Sequence, residues 1–255
     1  MIRRFAVLLL GLMTLAAPLR AEEIVADLSQ DRISISTNFD GTEILVFGAV
    51  KRDSPQPIGQ SMAIIVTVAG PREDVTIRRK ERRLGIWVNT DAVEVAGAPS
   101  FYAIASSVPL VQALNPEEDE RWRITTARAI TAPGMAIMDS EDPEFLEALI
   151  RVNTSTGIYG TSEETVQVRD ATLFSTEILL PSDLTEGNYN TRIFLTRDGE
   201  VIDSYATSIY VQKVGLERWI YNLAHEQPIL YGLLSLFIAI AAGWGASAVF
   251  RLINR

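Results

Sequence analysis

The chain has 255 residues, a formal net charge of −9 and no cysteine. The lack of cysteine excludes disulfides, thiolate metal sites and cysteine nucleophiles. The acidic balance argues against broad binding of nucleic acid or of an anionic membrane surface. The single histidine excludes histidine-rich zinc or copper sites.

Residues 1–21 have the layout of a secretory signal peptide. Arg3 and Arg4 form a basic start, an apolar stretch follows, Pro18 breaks it, and Ala21 suits cleavage. The apolar stretch is too short for a comfortable membrane span. We expect this segment to be cleaved; the alternative is a retained N-terminal anchor.

Residues 22–106 are predicted to form a β-sandwich domain. Runs such as "RISIST" and "SMAIIVTVAGP" are strand-like, and an Asp40–Gly41 turn precedes "ILVFGAV". Strands about every ten residues with turn signals between them are typical of a sandwich. The predicted fold class is mainly β. We expect an immunoglobulin-like β-sandwich ectodomain, as one sandwich or two, with a helical insertion and a C-terminal transmembrane helix.

Residues 107–157 are predicted to be a helical connecting region. In its last helix Asp142 can cap the N-terminus, Pro143 suits the first turn, and Gly157 lies near the end. The apolar stripe of this helix is Phe145, Leu146, Leu149 and Ile150.

Residues 158–213 are predicted to be a second β-rich part. Asp198–Gly199 separates two long strand-like runs and is a two-residue turn that matches strand twist. The residues Leu184, Gly187 and Tyr189 resemble the tyrosine corner of immunoglobulin-like sandwiches.

Residues 214–227 are predicted to form a juxtamembrane amphipathic helix. The apolar positions with helical spacing are Leu216, Trp219, Ile220 and Leu223. This helix suits either the membrane–water interface, with Trp219, Tyr221 and Tyr231 as anchors, or a place against the ectodomain. We interpret His225 in the same helix as an amphipathic side chain and not as part of a catalytic triad.

Residues 228–250 contain no charge and are long enough to cross a bilayer. Arg251 and Arg255 follow the segment, so the positive-inside rule places the tail 251–255 in the cytoplasm and the ectodomain on the other side. We therefore expect a single-pass protein of the inner membrane.

Small residues recur along one face of the predicted span. They are Ser235, Ala239, Gly243 and Ser247. Such a face lets another helix approach closely, in a second membrane protein or in a homodimer. Small residues are also common in membrane helices generally, which is the alternative interpretation.

A basic cluster interrupts the acidic ectodomain at "TIRRKERRLGIW". Its members are Arg78, Arg79, Lys80, Arg82 and Arg83. Lying between two predicted strands, it indicates a hairpin tip. It could contact an anion, an acidic partner or lipid headgroups, or it could be a charged turn that keeps a sheet edge soluble.

No catalytic motif, metal-binding spacing or cofactor signature is present, so the sequence predicts no catalytic residue and no cofactor. Acidic residues cluster at two places: Glu117, Glu118, Asp119 and Glu120, and Asp139, Glu141, Asp142 and Glu144. Neither run has the spacing of a calcium loop. We interpret both as solvated helix ends and loops.

Four segments carry a resemblance. "ILVFGAV", "RRLGIWVNTDAVEVAGAPSFYAIASS", "LTEGNYNTRIFLTRDG" and "VGLERWIYNLAHEQPILYGLLSLFIAIAAGWGAS" together resemble an uncharacterised family of alphaproteobacterial transmembrane proteins. The resemblance implies a bacterial inner-membrane protein with a periplasmic domain and brings no catalytic residues. It also implies an accessory role in transport, since such proteins tend to be encoded beside permeases similar to sulfite exporters.

Three functions stay open at this point. The first is a non-enzymatic accessory or interaction protein whose span pairs with another membrane protein. The second is a membrane-tethered hydrolase that uses carboxylates. The third is a binding domain for a small anion.

Overall fold

The computed structural model describes residues 22–36, 39–52, 61–130, 137–138 and 143–253. The expectations for the signal peptide at 1–21 and for Asp142 as a helix cap lie outside these residues. The described part is mainly β, with three sheets, a helical insertion and a long apolar C-terminal helix.

The strands follow one another with short connections in most places. They are β1 (Glu22–Leu28), β2 (Arg32–Ile35), β3 (Thr42–Arg52), β4 (Met62–Ala69), β5 (Arg72–Arg83), β6 (Ile86–Pro99), β7 (Tyr102–Ser106), β8 (Ile137–Met138), β9 (Tyr159–Ser162), β10 (Gln167–Arg169), β11 (Leu173–Leu180), β12 (Gly187–Arg197) and β13 (Glu200–Lys213).

The helices fall into the insertion and the C-terminal region. They are α1 (Leu110–Ala113), α2 (Pro116–Trp122), α3 (Thr126–Ile130), α4 (Pro143–Ser155), α5 (Leu216–Glu226) and α6 (Pro228–Ile253). In the described part of the predicted helical region, 107–157, the structure has three short helices, one longer helix and the short strand β8. Arg123 ends α2 in the left-handed conformation, and the Asn115 side chain caps its start.

Three sheets are formed by these strands. Sheet 1 has the order β1-β3-β11-β10, sheet 2 has the order β2-β13-β12-β4-β7-β9, and sheet 3 has the order β5-β6-β8. The pairs β2–β13 and β7–β9 are parallel, and the other pairings of the described strands are antiparallel. Sheets 1 and 2 each contain strands from both predicted β-rich parts, so 22–106 and 158–213 fold together.

Sheets 1 and 2 enclose the first hydrophobic core. Strand β3 alternates strictly, so Ile44 and Val46 point inward and Leu45 and Phe47 point outward. The inward side chains meet residues of sheet 2 such as Ile193. Burial along β3 thus has a period of two: one face of sheet 1 packs against sheet 2, and the other face lies in solvent.

The opposite face of sheet 2 carries the second core. Ile65 and Phe194 point into it, and α1–α4 together with the base of sheet 3 cover it, for example through Leu149 and Val95. Because both faces of sheet 2 are covered, 63–68 in β4 is buried without interruption. Sheet 2 is accordingly the central layer of the fold.

The predicted tyrosine corner is present at the start of β12. The Tyr189 hydroxyl donates to the Thr185 carbonyl oxygen over 2.9 Å, and its ring lies 6.0 Å from that of Phe101. Tyr189 is fully buried, and burial raises its pKa to about 12. This residue ties the connection before β12 to the first core.

The chain leaves the sheets at the end of β13 and enters α5 and α6. Among the described residues, one helix is long and apolar enough to cross a membrane, over Pro228–Ser247. None of that segment is buried against the rest of the protein. The amphipathic helix predicted before it is α5, in which Trp219 is exposed.

Candidate interaction surfaces

The basic cluster lies in the second half of β5, on a hairpin that β5 forms with β6. Arg79 faces α4, where it forms an ion pair with Glu144 at 2.8 Å and lies 4.8 Å above the Phe145 ring. Arg83 contacts Glu81 at 3.3 Å. These two arginines lie on the same side of β5 as Val75 and Ile77, which pack against the second core.

The other three cations occupy the opposite side of the hairpin. Arg78, Lys80 and Arg82 alternate with the first set, and Arg82 is directly opposite Trp87 in the register. No carboxylate within the described residues forms an ion pair with any of these three. Among the described residues, one side of the hairpin therefore combines an exposed indole with three cations that form no ion pair.

The tip of this hairpin is apolar. Leu84 is 105% exposed, Trp87 69% and Ile86 64%. The turn itself is Leu84–Gly85, with φ of 51° and 87°. The sequence predicts the cations at a hairpin tip, whereas the structure places them along β5 and places apolar residues at the tip. The exposure of these apolar residues depends on the pairing of β5 with β6.

The outward face of sheet 1 is a second exposed apolar surface. Its large side chains are Val25, Leu45, Phe47, Leu173 and Leu179. Val25 and Leu173 both pair with Ala49, from opposite sides. A cavity of about 590 Å³ lies here between the side chains of neighbouring strands. The sequence signal for this face is weak, because its apolar positions alternate along the strands with charged outward residues such as Glu23, Glu43 and Lys51.

The small residues of the predicted span lie on the described helix α6. Ser235 donates its hydroxyl to the Gly232 carbonyl within the same helix, at 2.9 Å. A methyl group built at Gly243 or at Gly245 would meet no neighbouring atom within 4 Å. The helix thus offers an open surface on both of those sides.

The three residues predicted as interfacial anchors lie in α5 and α6. Trp219 is 55% exposed and Tyr231 is 40% exposed, whereas Tyr221 lies in α5 with its side chain outside the described set. Exposure of the Trp219 indole in a helix that leads directly to a candidate span suits a membrane–water interface.

The buried carboxylates of the described chain have structural partners. Glu22 accepts hydrogen bonds from Arg52 and Arg197, and Asp203 accepts one from the Ile24 backbone N–H. In the first acidic run, Asp119 accepts from the backbone N–H groups of residues 124 and 125. Among the described residues no group of three or more His, Cys, Asp or Glu is placed to hold a metal ion.

A cavity lined by arginines was missed by the sequence analysis. It has a volume of about 400 Å³ and is bordered by Arg72, Arg123 and Arg192. Arg192 donates to the carbonyl oxygens of Trp122 and Arg123, at 2.8 and 3.0 Å. Desolvation, and then the charge of Arg192, lowers the pKa of Arg72.

No local pattern could have revealed this cavity. Arg72, Arg123 and Arg192 come from the start of β5, the end of α2 and the middle of β12. They meet because β4 pairs with β12 and α2 packs on sheet 2. Both contacts join segments that are far apart in the sequence.

Comparison with known families agrees with the long apolar helix and the β-rich domain. Residues 23–252 match the family described as "Putative transmembrane protein (Alph_Pro_TM)". The chain belongs to the Alph_Pro_TM family. A comparison with curated proteins gave no match. The family identity covers both the sheets and α6, so both are parts of one family architecture.

Proposed function

We propose that this Alph_Pro_TM protein is a single-pass protein of the bacterial inner membrane with a periplasmic, non-enzymatic interaction domain. Its partner is a multi-span membrane protein, and the family resemblance implies a permease similar to sulfite exporters. The domain would assist that partner by binding it within the bilayer through α6 and outside the bilayer through the sheets.

The orientation rests on charge. Arg251 and Arg255 follow the span, and no acidic residue lies among the last residues of the chain. Positive residues are retained on the cytoplasmic side, so the sheets lie in the periplasm. A signal peptide at 1–21 requires the same orientation.

The strand order supports an immunoglobulin-like domain. Reading β1, β3, β11 and β10 as strands A, B, E and D reproduces one sheet of that fold. Reading β13, β12, β4 and β7 as G, F, C and C′ gives the other. The tyrosine corner at Tyr189 agrees with this assignment. Immunoglobulin-like domains are used widely for protein contacts, although a fold does not define a function.

The observation that carries the proposal is the outward face of sheet 1. Phe47, Val25 and Leu173 are exposed together on neighbouring strands. Contiguous apolar surface of this kind marks interaction sites on soluble domains. Glu22, Asp119 and Asp203 hydrogen-bond within the fold, so these three are poor candidates for the pair of carboxylates that a hydrolase would use.

Co-purification from mild-detergent membranes tests the proposal. We expect a stoichiometric multi-span protein to accompany the tagged chain. Phe47→Asp should reduce its recovery, and Gly243→Leu should reduce it by filling the small-residue face. Gly245→Leu is the matched control, since it lies about 200° around the helix from Gly243. Recovery of the tagged chain alone, or equal effects of the two glycine variants, contradicts the proposal.

A second candidate is binding of a small anion in the arginine cavity. Arg72 and Arg192 bring two positive charges close to the same 400 Å³ space, and guanidinium groups bind oxyanions well. Sulfate or phosphate should then raise the thermal midpoint of the detergent-solubilised chain. Arg72→Gln should remove that shift, and the control Arg128→Gln should keep it. The same rise in both variants contradicts this candidate.

A further inference from the structure

The β5–β6 hairpin departs from the same end of sheet 2 as the membrane anchor. Ala69 at the end of β4 pairs with Asn190, which pairs with Ser208 in β13. Strand β13 ends five residues later and continues into α5. Because β4 and β13 run in the same direction, β5 begins at the end of the sheet that faces the bilayer, here called the anchor end.

A close contact reinforces this placement. Pro71 lies beside Gly187, where an added methyl group would come within 3.1 Å of the proline ring. Gly187 pairs with Val211, two positions before the last residue of β13. The base of the hairpin therefore lies beside the last residues of β13, which precede the juxtamembrane helix α5.

The hairpin is fixed at its base and free at its tip. Arg79 is held by Glu144 and Phe145 of α4, whereas the strands from Lys80 to Asn89 are exposed on nearly every residue. At about 3.3 Å per residue, the free part extends roughly 15 Å beyond Arg79. That length suffices to bring the tip to a surface next to the domain.

The turn at the tip breaks a local rule. Both Leu84 and Gly85 have positive φ, which is the pattern of a type I′ turn and favours Asn, Asp or Gly at its first position. The other long hairpin has the same φ pair, 50° and 87°, at Asp198–Gly199. Leu84 therefore has a backbone conformation that is unfavourable for a bulky side chain. Because the side chain is fully exposed, no packing contact offsets that cost.

Local rules are broken most often at functional sites. The chemistry of the tip matches a lipid interface: Leu84, Ile86 and Trp87 are apolar or amphipathic, and Lys80 and Arg82 flank them on one side. Indole rings and leucine side chains enter the headgroup region, while cations attract anionic headgroups.

We propose that the β5–β6 tip inserts into the anionic outer surface of the bilayer that holds α6. The hairpin then acts as a second, reversible contact with the membrane and restricts how the domain is oriented above it. This inference rests on the membrane anchoring in the proposed function and requires no protein partner.

A single-cysteine probe tests the insertion, because the native chain has no cysteine. The full chain carrying Leu84→Cys is labelled with an environment-sensitive dye and reconstituted into vesicles of phosphatidylcholine with or without phosphatidylglycerol. Asp198→Cys is the matched control, since its turn has the same geometry and lies at the opposite end of sheet 2. A lipid-bound quencher reports contact with the bilayer.

We expect quenching and a blue shift at position 84 in the anionic vesicles, and neither at position 198. Lys80→Gln with Arg82→Gln should weaken insertion about 25-fold, since each cation near an anionic surface contributes about a factor of five. Lys51→Gln, at the far end of sheet 1, should not. Leu84→Asn should keep or raise the thermal midpoint while abolishing insertion of a dye at Ile86→Cys.

Three results overturn the proposal. A chain that floats with the vesicles but keeps the position-84 dye in water shows that the tip does not insert, although the anchor holds. Shielding of the dye without lipid quenching shows that a protein, either a partner or a second copy, covers the tip. A chain that fails to float contradicts the anchoring as well, and thereby both proposals.

Discussion

Glu22 should be among the most sensitive positions of the fold. Its side chain is 4% exposed, and its two oxygens accept from Arg52 at 2.7 Å and from Arg197 at 2.6 Å. Arg52 belongs to sheet 1 and Arg197 to sheet 2, so one carboxylate joins the sheets at the end opposite the anchor. We choose the substitution Glu22→Gln because it keeps the shape and removes the charge.

The expected loss follows from this geometry. The substitution leaves two guanidinium groups, 12% and 18% exposed, without their counter-charge. Breaking a buried ion pair by removing one partner costs about 3–5 kcal/mol, and two charge-assisted hydrogen bonds at about 1.5–3 kcal/mol each give the same range. Since domains of this kind are stable by about 5–15 kcal/mol, the variant should be severely weakened.

The neighbouring residue provides the control. Glu23 pairs with Lys51 at 3.7 Å, but both side chains are more than 60% exposed, so Glu23→Gln should cost less than about 1 kcal/mol. Urea unfolding of the detergent-solubilised full chain, followed by near-ultraviolet circular dichroism, measures both. At a slope of about 2 kcal/mol per molar urea, the midpoint of Glu22→Gln should fall by about 1.5–2.5 M. Equal midpoints for the two variants would refute the reasoning.

Three further outcomes follow from the same contacts. The pKa of Tyr189 is raised to about 12 from about 10 in an unfolded chain. Its contribution to the free energy of unfolding is therefore fully present below pH 10 and is lost between pH 10 and 12. The free energy of unfolding, obtained from urea titrations, should fall over that interval by at most about 3 kcal/mol for this residue, and less steeply in Tyr189→Phe. Gly48→Ala should cost about 1–3 kcal/mol, because its methyl group would lie 2.6 Å from the Val25 carbonyl oxygen and from the Phe174 ring; an unchanged thermal midpoint would contradict this. Asp119→Ala should cost about 1–3 kcal/mol by removing hydrogen bonds to the residues after α2, and calorimetry that shows no loss would be inconsistent with that role.

Local patterns were sufficient for several elements. The Asp198–Gly199 turn, the corner at Tyr189 and the helix beginning at Pro143 are where the sequence predicts them. In each case neighbouring residues carry the signal, through turn chemistry or helical spacing. The uncharged segment that became α6 is recognisable for the same reason.

Long-range pairing was not accessible in the same way. The sequence assigned β5 and β6 to the sandwich of 22–106, yet they form sheet 3 with β8 outside sheets 1 and 2. Their alternating pattern is that of any half-buried strand and does not identify the partner strand. The closeness of Arg72 and Arg192 likewise depends on the pairing of β4 with β12, which no local pattern specifies.

The most direct test of the account is photo-crosslinking from α6 in native membranes. A photoreactive residue placed at Ala239 lies on the small-residue face, and one at Ala241 lies about 200° away on the same helix. The account predicts a crosslinked product from position 239 that contains a multi-span membrane protein, and little from position 241. Equal products from the two positions, or a product from 239 that contains only this chain, would contradict the claim that the protein serves a membrane partner.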